Sequence, residues 1–210
     1  TTLAVVSGAF GAGFSATVAL VLGFANLLAD GFSMAVSNYE AIRARQEFAA
    51  SVRKTEHEHI DKVPAGEREE LRQIFRRKGF SGVVLESIVA TLSSDKKLWV
   101  ETMLTEEHGI ARGALSPYRS GAMTFAAFVL VGSVPLVPLL IPALETQMQF
   151  LVSATLSALM FFLIGSLKSL VFARPMLRSG LYTLLTGSAA AGLAFLTGYV
   201  LRTVIGIDVA

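Results

Sequence analysis

Residues 23–39 have the sequence GFANLLADGFSMAVSNY, and this stretch decides the fold because it is apolar enough for a membrane helix yet contains the charged side chain of Asp30. A charge at the bilayer centre costs roughly 2.5–3.5 kcal/mol on insertion scales, so such groups usually face a cavity or a partner. At spacings of three and four residues, one helix face collects Asn26, Asp30, Ser33, Met34, Ser37 and Asn38. This face indicates a cation path through a membrane. The alternative is a helix contact made by small and polar residues.

The rest of the chain separates into charged and apolar parts. Residues 41–119 contain 14 of the 18 Lys and Arg residues and 12 of the 16 Asp and Glu residues. Four uncharged stretches each reach the roughly 20 residues that cross a bilayer: 1–29, 120–144, 146–167 and 179–201. Glycines at positions 8, 11 and 13 interrupt the first stretch, which predicts a turn there. The sequence therefore predicts an all-α membrane bundle of five spans, with a truncated first span at 1–10 and a second span from residue 15 to about 41.

The distribution of basic residues predicts the orientation. The link between the last two spans carries Lys168, Arg174 and Arg178, and the charged segment is rich in basic residues as well. The turn at residues 11–15 and the link around Glu145 carry none. Because basic loops stay on the cytoplasmic side of a membrane, the charged segment is predicted to be cytoplasmic.

Three regions follow from these patterns. Residues 1–41 are expected to hold the truncated first span and the second helix, 42–116 a cytoplasmic helical metal-binding domain with a stalk, and 117–210 the last three spans. The chain has no cysteine, which excludes disulfides, thiolate metal sites and iron–sulfur clusters. A net charge of +2 does not indicate nucleic-acid binding.

The inserted domain is predicted to be a small helical bundle. The second span should continue as a helix to Ile60, because neither Gly nor Pro interrupts it before Pro64. Another helix should cover 64–78, and Ser81 and Asp95 are predicted N-caps of two more. The side chains expected inside the bundle include Leu71, Ile74, Phe75, Val84, Leu85, Ile88, Val89, Leu92, Leu98, Trp99 and Met103.

Side chains of the types that bind metals are concentrated in this domain, which contains all three histidines of the chain: His57, His59 and His108. Helical spacing places three pairs on shared faces: Glu56 with His59, Glu67 with Glu70, and Met103 with Glu107. Oxygen and imidazole donors with one thioether suit Fe²⁺ or Mn²⁺ better than Ca²⁺. The alternative is a solvated surface of charged helices, on which such pairs are routine, with Met103 in the core.

The stretch 23–39, an acidic helical insertion and three further spans together resemble the vacuolar iron transporter family, in the form of a prokaryotic-type member. The segment ADGFSM at residues 29–34 is the most specific part of the resemblance. It implies five transmembrane helices per subunit and a homodimer with the path between subunits. It also implies export of Fe²⁺ or Mn²⁺ from the cytosol in exchange for protons, across a prokaryotic cell membrane or, in a eukaryote, the vacuolar membrane.

By position, the resemblance assigns metal binding to the same three pairs and places the thioether of the membrane path on Met34. Plant relatives have a second Met where Leu104 stands and a Glu where His59 stands. The family's first span carries an acidic Asp-Gly motif that would precede Thr1.

The predicted function is metal transport without enzymatic activity and without an organic cofactor. The domain would collect the ion and deliver it to Asp30, Met34 and Asn26, where protons compete with it for the carboxylate. One alternative is a membrane-anchored di-iron oxidase, since Glu56-x-x-His59 matches one copy of the ferritin-like signature, although a second copy is missing. The other is a protein that only buffers or senses metal.

Overall fold

The computed structural model describes residues 1–110, 113, 115–173 and 175–206, and these residues form helices and connecting turns without a strand. The all-α prediction is confirmed for this part of the chain. Arg174, one of the basic residues that predict the orientation, lies outside the described residues. The helices are α1 Thr2–Gly11, α2 Ala16–Lys62, α3 Pro64–Arg77, α4 Gly82–Ser94, α5 Lys96–Glu106, α6 Pro117–Gly132, α7 Thr146–Phe172 and α8 Met176–Ile205, with a 3₁₀ helix at Val134–Leu140.

The chain forms two compact units. We call residues Thr1–Ser37 with Gly121–Ala210 the apolar unit, and Asn38–Ser120 the polar unit. The predicted continuation of the second span is confirmed, because α2 extends unbroken over 47 residues and contributes to both units.

The apolar unit contains the candidate membrane spans. Among the described residues, α2, α7 and α8 are long and apolar enough to cross a bilayer. A fourth candidate is α6 together with the 3₁₀ helix, which are bent by 42° relative to each other. Pro135 and Pro138 lie in that 3₁₀ helix, and because proline cannot donate the backbone hydrogen bond of a regular α-helix, the two residues account for the bend. The ten-residue α1 is apolar but short, and the count of five spans stays a prediction.

Glycines shape the beginning of the apolar unit. α1 ends at Gly11, and Gly13 has a φ of 81°, a conformation that favours glycine, before α2 begins at Ala16. The predicted turn is therefore confirmed. Where α1 crosses α8, a Cβ atom added at Gly198 would overlap the carbonyl oxygen of Gly8, so the two backbones touch.

The polar unit has its own hydrophobic core. Its buried members are Ile60, Leu71, Ile74, Leu85, Val89, Trp99, Val100, Met103 and Leu104. Val84 and Leu98 were expected inside but are exposed, Val84 to 58%. In α4 the buried residues Leu85 and Val89 are four positions apart, and a neighbouring residue points about 100° away from that face.

Capping was predicted correctly at one of two helix starts. The Asp95 carboxylate accepts hydrogen bonds from the backbone N–H groups of Lys97 (2.9 Å) and Leu98 (3.2 Å). Ser81 precedes α4 as predicted, but its side chain makes no capping hydrogen bond.

Candidate metal centre

The six residues predicted to bind metal all lie in the polar unit. They come from three helices: Glu56 and His59 in α2, Glu67 and Glu70 in α3, and Met103 in α5 with Glu107 as its C-cap. Only Val63 separates α2 from α3, because Pro64 cannot continue the first helix. This tight turn brings the end of α2 next to the start of α3, so that His59 Nδ1 lies 3.3 Å from Glu67 Oε1.

A second group forms where the end of α5 meets α2. Glu56, Glu107 and His108 each place one potential ligand atom within 4.8 Å of the other two. His108 Nε2 is 3.0 Å from Glu56 Oε1 and 3.9 Å from Glu107 Oε2. These three side chains can therefore share one cation.

His108 is the site residue that the spacing argument missed. It lies beyond the end of α5, where helical periodicity no longer applies. The N–H groups of Glu107 and His108 both donate to the carbonyl of Met103, and Gly109 follows with a φ of 64°. This turn places the imidazole beside Glu56. The sequence indicated this histidine only by its type and place: it directly follows Glu107 and precedes a glycine that ends the helix.

Electrostatics link the two groups. Burial is the largest cause that raises the pKa of Glu67 to about 7; the charges of Glu70, Glu56 and Glu107 contribute in the same direction, and His59 opposes them. The pKa of Glu107 is also raised, mainly by burial, with His108 lowering it and Glu70 and Glu56 raising it. The carboxylates thus repel one another at close range, which is the condition that a divalent cation relieves.

Two carboxylate oxygens in the site have no hydrogen-bond partner within the described part of the chain. They are Oε2 of Glu56 and Oε2 of Glu67, both buried, with only 4% and 5% of the respective residues exposed. A buried acceptor without a partner is costly, and a bound cation would remove that cost. The donor set therefore fits a metal ion.

The pattern of ion pairs argues against an ordinary charged surface. Lys and Arg side chains in the polar unit pair with Glu47, Glu58, Asp61, Glu69, Glu86, Glu101 and Glu106. In the described chain, none forms an ion pair with Glu56, Glu67, Glu70 or Glu107. Most acidic residues of the polar unit outside the candidate site thus pair with a Lys or Arg side chain, whereas the four glutamates of the site do not.

Two of the six predicted ligands, Glu70 and Met103, differ from the other four. Glu70 is exposed, and it joins the cluster through its charge on Glu67 and Glu107. Met103 is fully buried in the core with Leu71 and Trp99. Packing thus accounts for Met103, and its role as a ligand stays a prediction.

The predicted membrane path lies on α2 in the apolar unit. Asn26 Nδ2 donates to Asp30 Oδ2 at 3.1 Å, and both residues are half-buried. The face of α2 around Gly31 packs on Phe125 and Phe128 of α6. Met34, further along the polar face, is 50% exposed. Packing within the chain therefore leaves part of the predicted path uncovered.

Comparison with known proteins identifies the family. A family model described as the VIT family matches residues 1–199. The vacuolar iron transporter of Toxoplasma gondii is 29% identical over 99% of this chain and 72% of its own length. Vacuolar iron transporter 1 of Eucalyptus grandis is 31% identical, and that of Arabidopsis thaliana 30%, each over 91% of this chain and 77% of its own length.

These relatives are named as transporters and not as enzymes, which agrees with the predicted lack of enzymatic activity. The resemblance stated from residues 23–39 is confirmed. With its apolar spans and this match over nearly its whole length, the chain is an integral membrane protein that belongs to the VIT family.

Proposed function

We propose that this protein transports divalent iron across a membrane, with the polar unit as the collecting site. The observation that carries the proposal is the pair of buried glutamates, Glu56 and Glu67, each with one oxygen that has no protein partner in the described chain. The names of the relatives supply the cargo, iron.

The donor set supports Fe²⁺ and also admits Mn²⁺. Carboxylate oxygens and two imidazoles bind both ions, and no thiolate is present to favour zinc. We assign binding to Glu56, His59, Glu67, Glu70 and Glu107, add His108, and keep Met103 as the thioether that the family resemblance implies.

In the finer proposal, the protein is a five-span homodimer that exports the ion from the cytosol, with the polar unit on the cytoplasmic side. Asn26, Asp30 and Met34 would line the path between two subunits, since the subunit leaves Met34 half-exposed. A carboxylate must lose its proton before it binds metal, so ion release and proton entry are coupled at such groups.

The test is metal flux into proteoliposomes that contain the full-length protein, with an acidic lumen and with Fe²⁺ and Mn²⁺ assayed in parallel without oxygen. We expect Met34→Ala and Asp30→Ala to abolish most of the flux. Met148→Ala is the matched control, because Met148 is also about half-exposed but lies on α7. Flux of Met34→Ala and Asp30→Ala equal to that of the parent would show that the path is wrongly assigned.

The oxidase and the buffer alternatives predict different results. In the structure the two members of Glu56-x-x-His59 turn to different partners, His108 and Glu67, rather than to one joint site. Catalytic oxidation of Fe²⁺ in air with many turnovers per subunit would favour the oxidase. Stoichiometric binding without any flux would favour a buffer or sensor.

A further inference from the structure

The α7–α8 hairpin contains a cleft that the proposed transport does not use. Its volume is about 760 Å³, and it lies where the C-terminal end of α7 faces the first turns of α8. Its walls include Lys168, Phe172, Arg178, Ser179, Tyr182 and Thr183, all in the apolar unit.

The charge of this cleft is positive and uncompensated. Residues 146–207 contain neither Asp nor Glu, so Lys168 and Arg178 have no acidic neighbour in their own hairpin. Across the described residues neither cation takes part in an ion pair. The first turn of α8 also lacks an acidic residue and a side-chain cap, and its free N–H groups add positive potential. The cleft therefore suits an anion.

The surroundings of the cleft are apolar. Leu167 and Leu170 on α7 and Leu181 and Leu185 on α8 are exposed, and both helices are candidate spans. Tyr182, also exposed, is an aromatic residue of the kind found at the boundary between membrane and water. An anion that carries acyl chains can therefore contact the basic side chains and the apolar surface together.

We propose that this cleft binds the phosphate headgroup of an anionic membrane phospholipid, whose acyl chains lie along the leucines of α7 and α8. The Arg178 guanidinium can donate two parallel hydrogen bonds to phosphate, and Lys168 supplies a second, more mobile charge. Ser179 and Thr183 add hydroxyl groups to the wall. The volume lies within the range of ordinary small-molecule sites, and basic pockets between membrane helices suit anionic headgroups.

The experiment compares lipids retained by the full-length protein after reconstitution in equal amounts of phosphatidylglycerol and phosphatidylcholine, counted by native mass spectrometry. The parent should retain phosphatidylglycerol preferentially. Lys168→Gln and Arg178→Gln should each reduce that preference by about tenfold, the equivalent of one lost charge-assisted hydrogen bond. Arg202→Gln removes the same charge near the other end of α8 and should leave the preference within about twofold of the parent value.

Two further measurements keep the outcome decisive. Arg178→Lys, which keeps the charge but not the two parallel hydrogen bonds, should retain more of the preference than Arg178→Gln. A variant that fails to fold would also lose its native elution volume in size-exclusion chromatography. Equal retention of the two lipids by the parent would overturn the proposal, as would an equal loss in Arg202→Gln. Binding of inorganic phosphate in phosphatidylcholine alone, with no lipid preference, would identify a soluble anion as the ligand and would also overturn it.

Discussion

Glu67 shows how a single buried carboxyl group makes the polar unit sensitive to pH. Its pKa in the folded protein is about 7, against a reference value of 4.5. Because the folded pKa is the higher one, the stabilisation from this group is complete below about pH 4.5 and is lost as the pH rises through 7. In the metal-free protein, the contribution of Glu67 should therefore make the polar unit less stable at pH 8 than at pH 5.

Glu67→Gln should raise the free energy of unfolding of the metal-free protein at pH 8, by on the order of 2 kcal/mol, and change it little at pH 5. Denaturation of the full-length protein can be followed by the fluorescence of Trp99, the only tryptophan, whose residue is 2% exposed in the core of the polar unit. Glu47→Gln, on the exposed side of α2, should shift the result by less than about 0.5 kcal/mol. A Glu67→Gln protein that is less stable than the parent at pH 8 would contradict this account.

His108 is expected to matter as much as the glutamates for metal binding. Replacing it by Gln should weaken Fe²⁺ or Mn²⁺ binding by at least about tenfold, since the imidazole either binds the ion or orients Glu56. His57→Gln is the control, because His57 forms no ion pair with the site among the described residues. Calorimetric titration of the full-length protein gives both affinities. Equal metal affinities of the two variants would show that His108 does not contribute to the site.

At the level of helices, α5 positions the site, since Met103, Glu107 and His108 all depend on where it begins and ends. Asp95→Ala should destabilise the polar unit by about 1 kcal/mol, because two backbone N–H groups lose their acceptor. Ser81→Ala offers a matched comparison at α4, where no capping bond exists, and should cost clearly less. Chemical denaturation followed by Trp99 fluorescence measures both. A larger loss of stability in Ser81→Ala than in Asp95→Ala would contradict this interpretation of the two helix starts.

The sequence predicted the helices of the polar unit well because their starts and stops depend on local residues such as Pro64 and Asp95. It also selected Glu56, Glu67 and Glu107, since acidic residues at helical spacing share a face. It could not place His108, whose position depends on a turn after the helix, or the exposure of Val84, which depends on what packs against α4. Apolar composition indicated the candidate spans, and Pro135 and Pro138 are the local signal for the bend after Gly132.

The organisation of the complete protein leads to a prediction about its oligomeric state. The polar face of α2 is partly exposed in one subunit, and the proposed path needs a second copy to enclose it. Because the chain contains no cysteine, a single Ser33→Cys substitution can report contact between copies. We expect oxidation in native membranes to give a covalent dimer.

Ser188→Cys on α8, which is also exposed, should stay monomeric under the same oxidation and serves as the control. The two products are distinguished by non-reducing gel electrophoresis. A dimer from Ser188→Cys, together with none from Ser33→Cys, would place the contact between subunits on a different helix.

The backbone contact between Gly8 and Gly198 has a consequence for large-scale mutagenesis. No side chain fits where α8 passes α1, so nearly every replacement of Gly198 should be rejected in a selection for growth on toxic metal. Gly192, on the same helix with open space around it, should accept alanine freely. In such a survey Gly198 would score as severely as a ligand, although it has no side chain that could bind the ion. Mutational intolerance alone would therefore mistake a steric contact for transport chemistry.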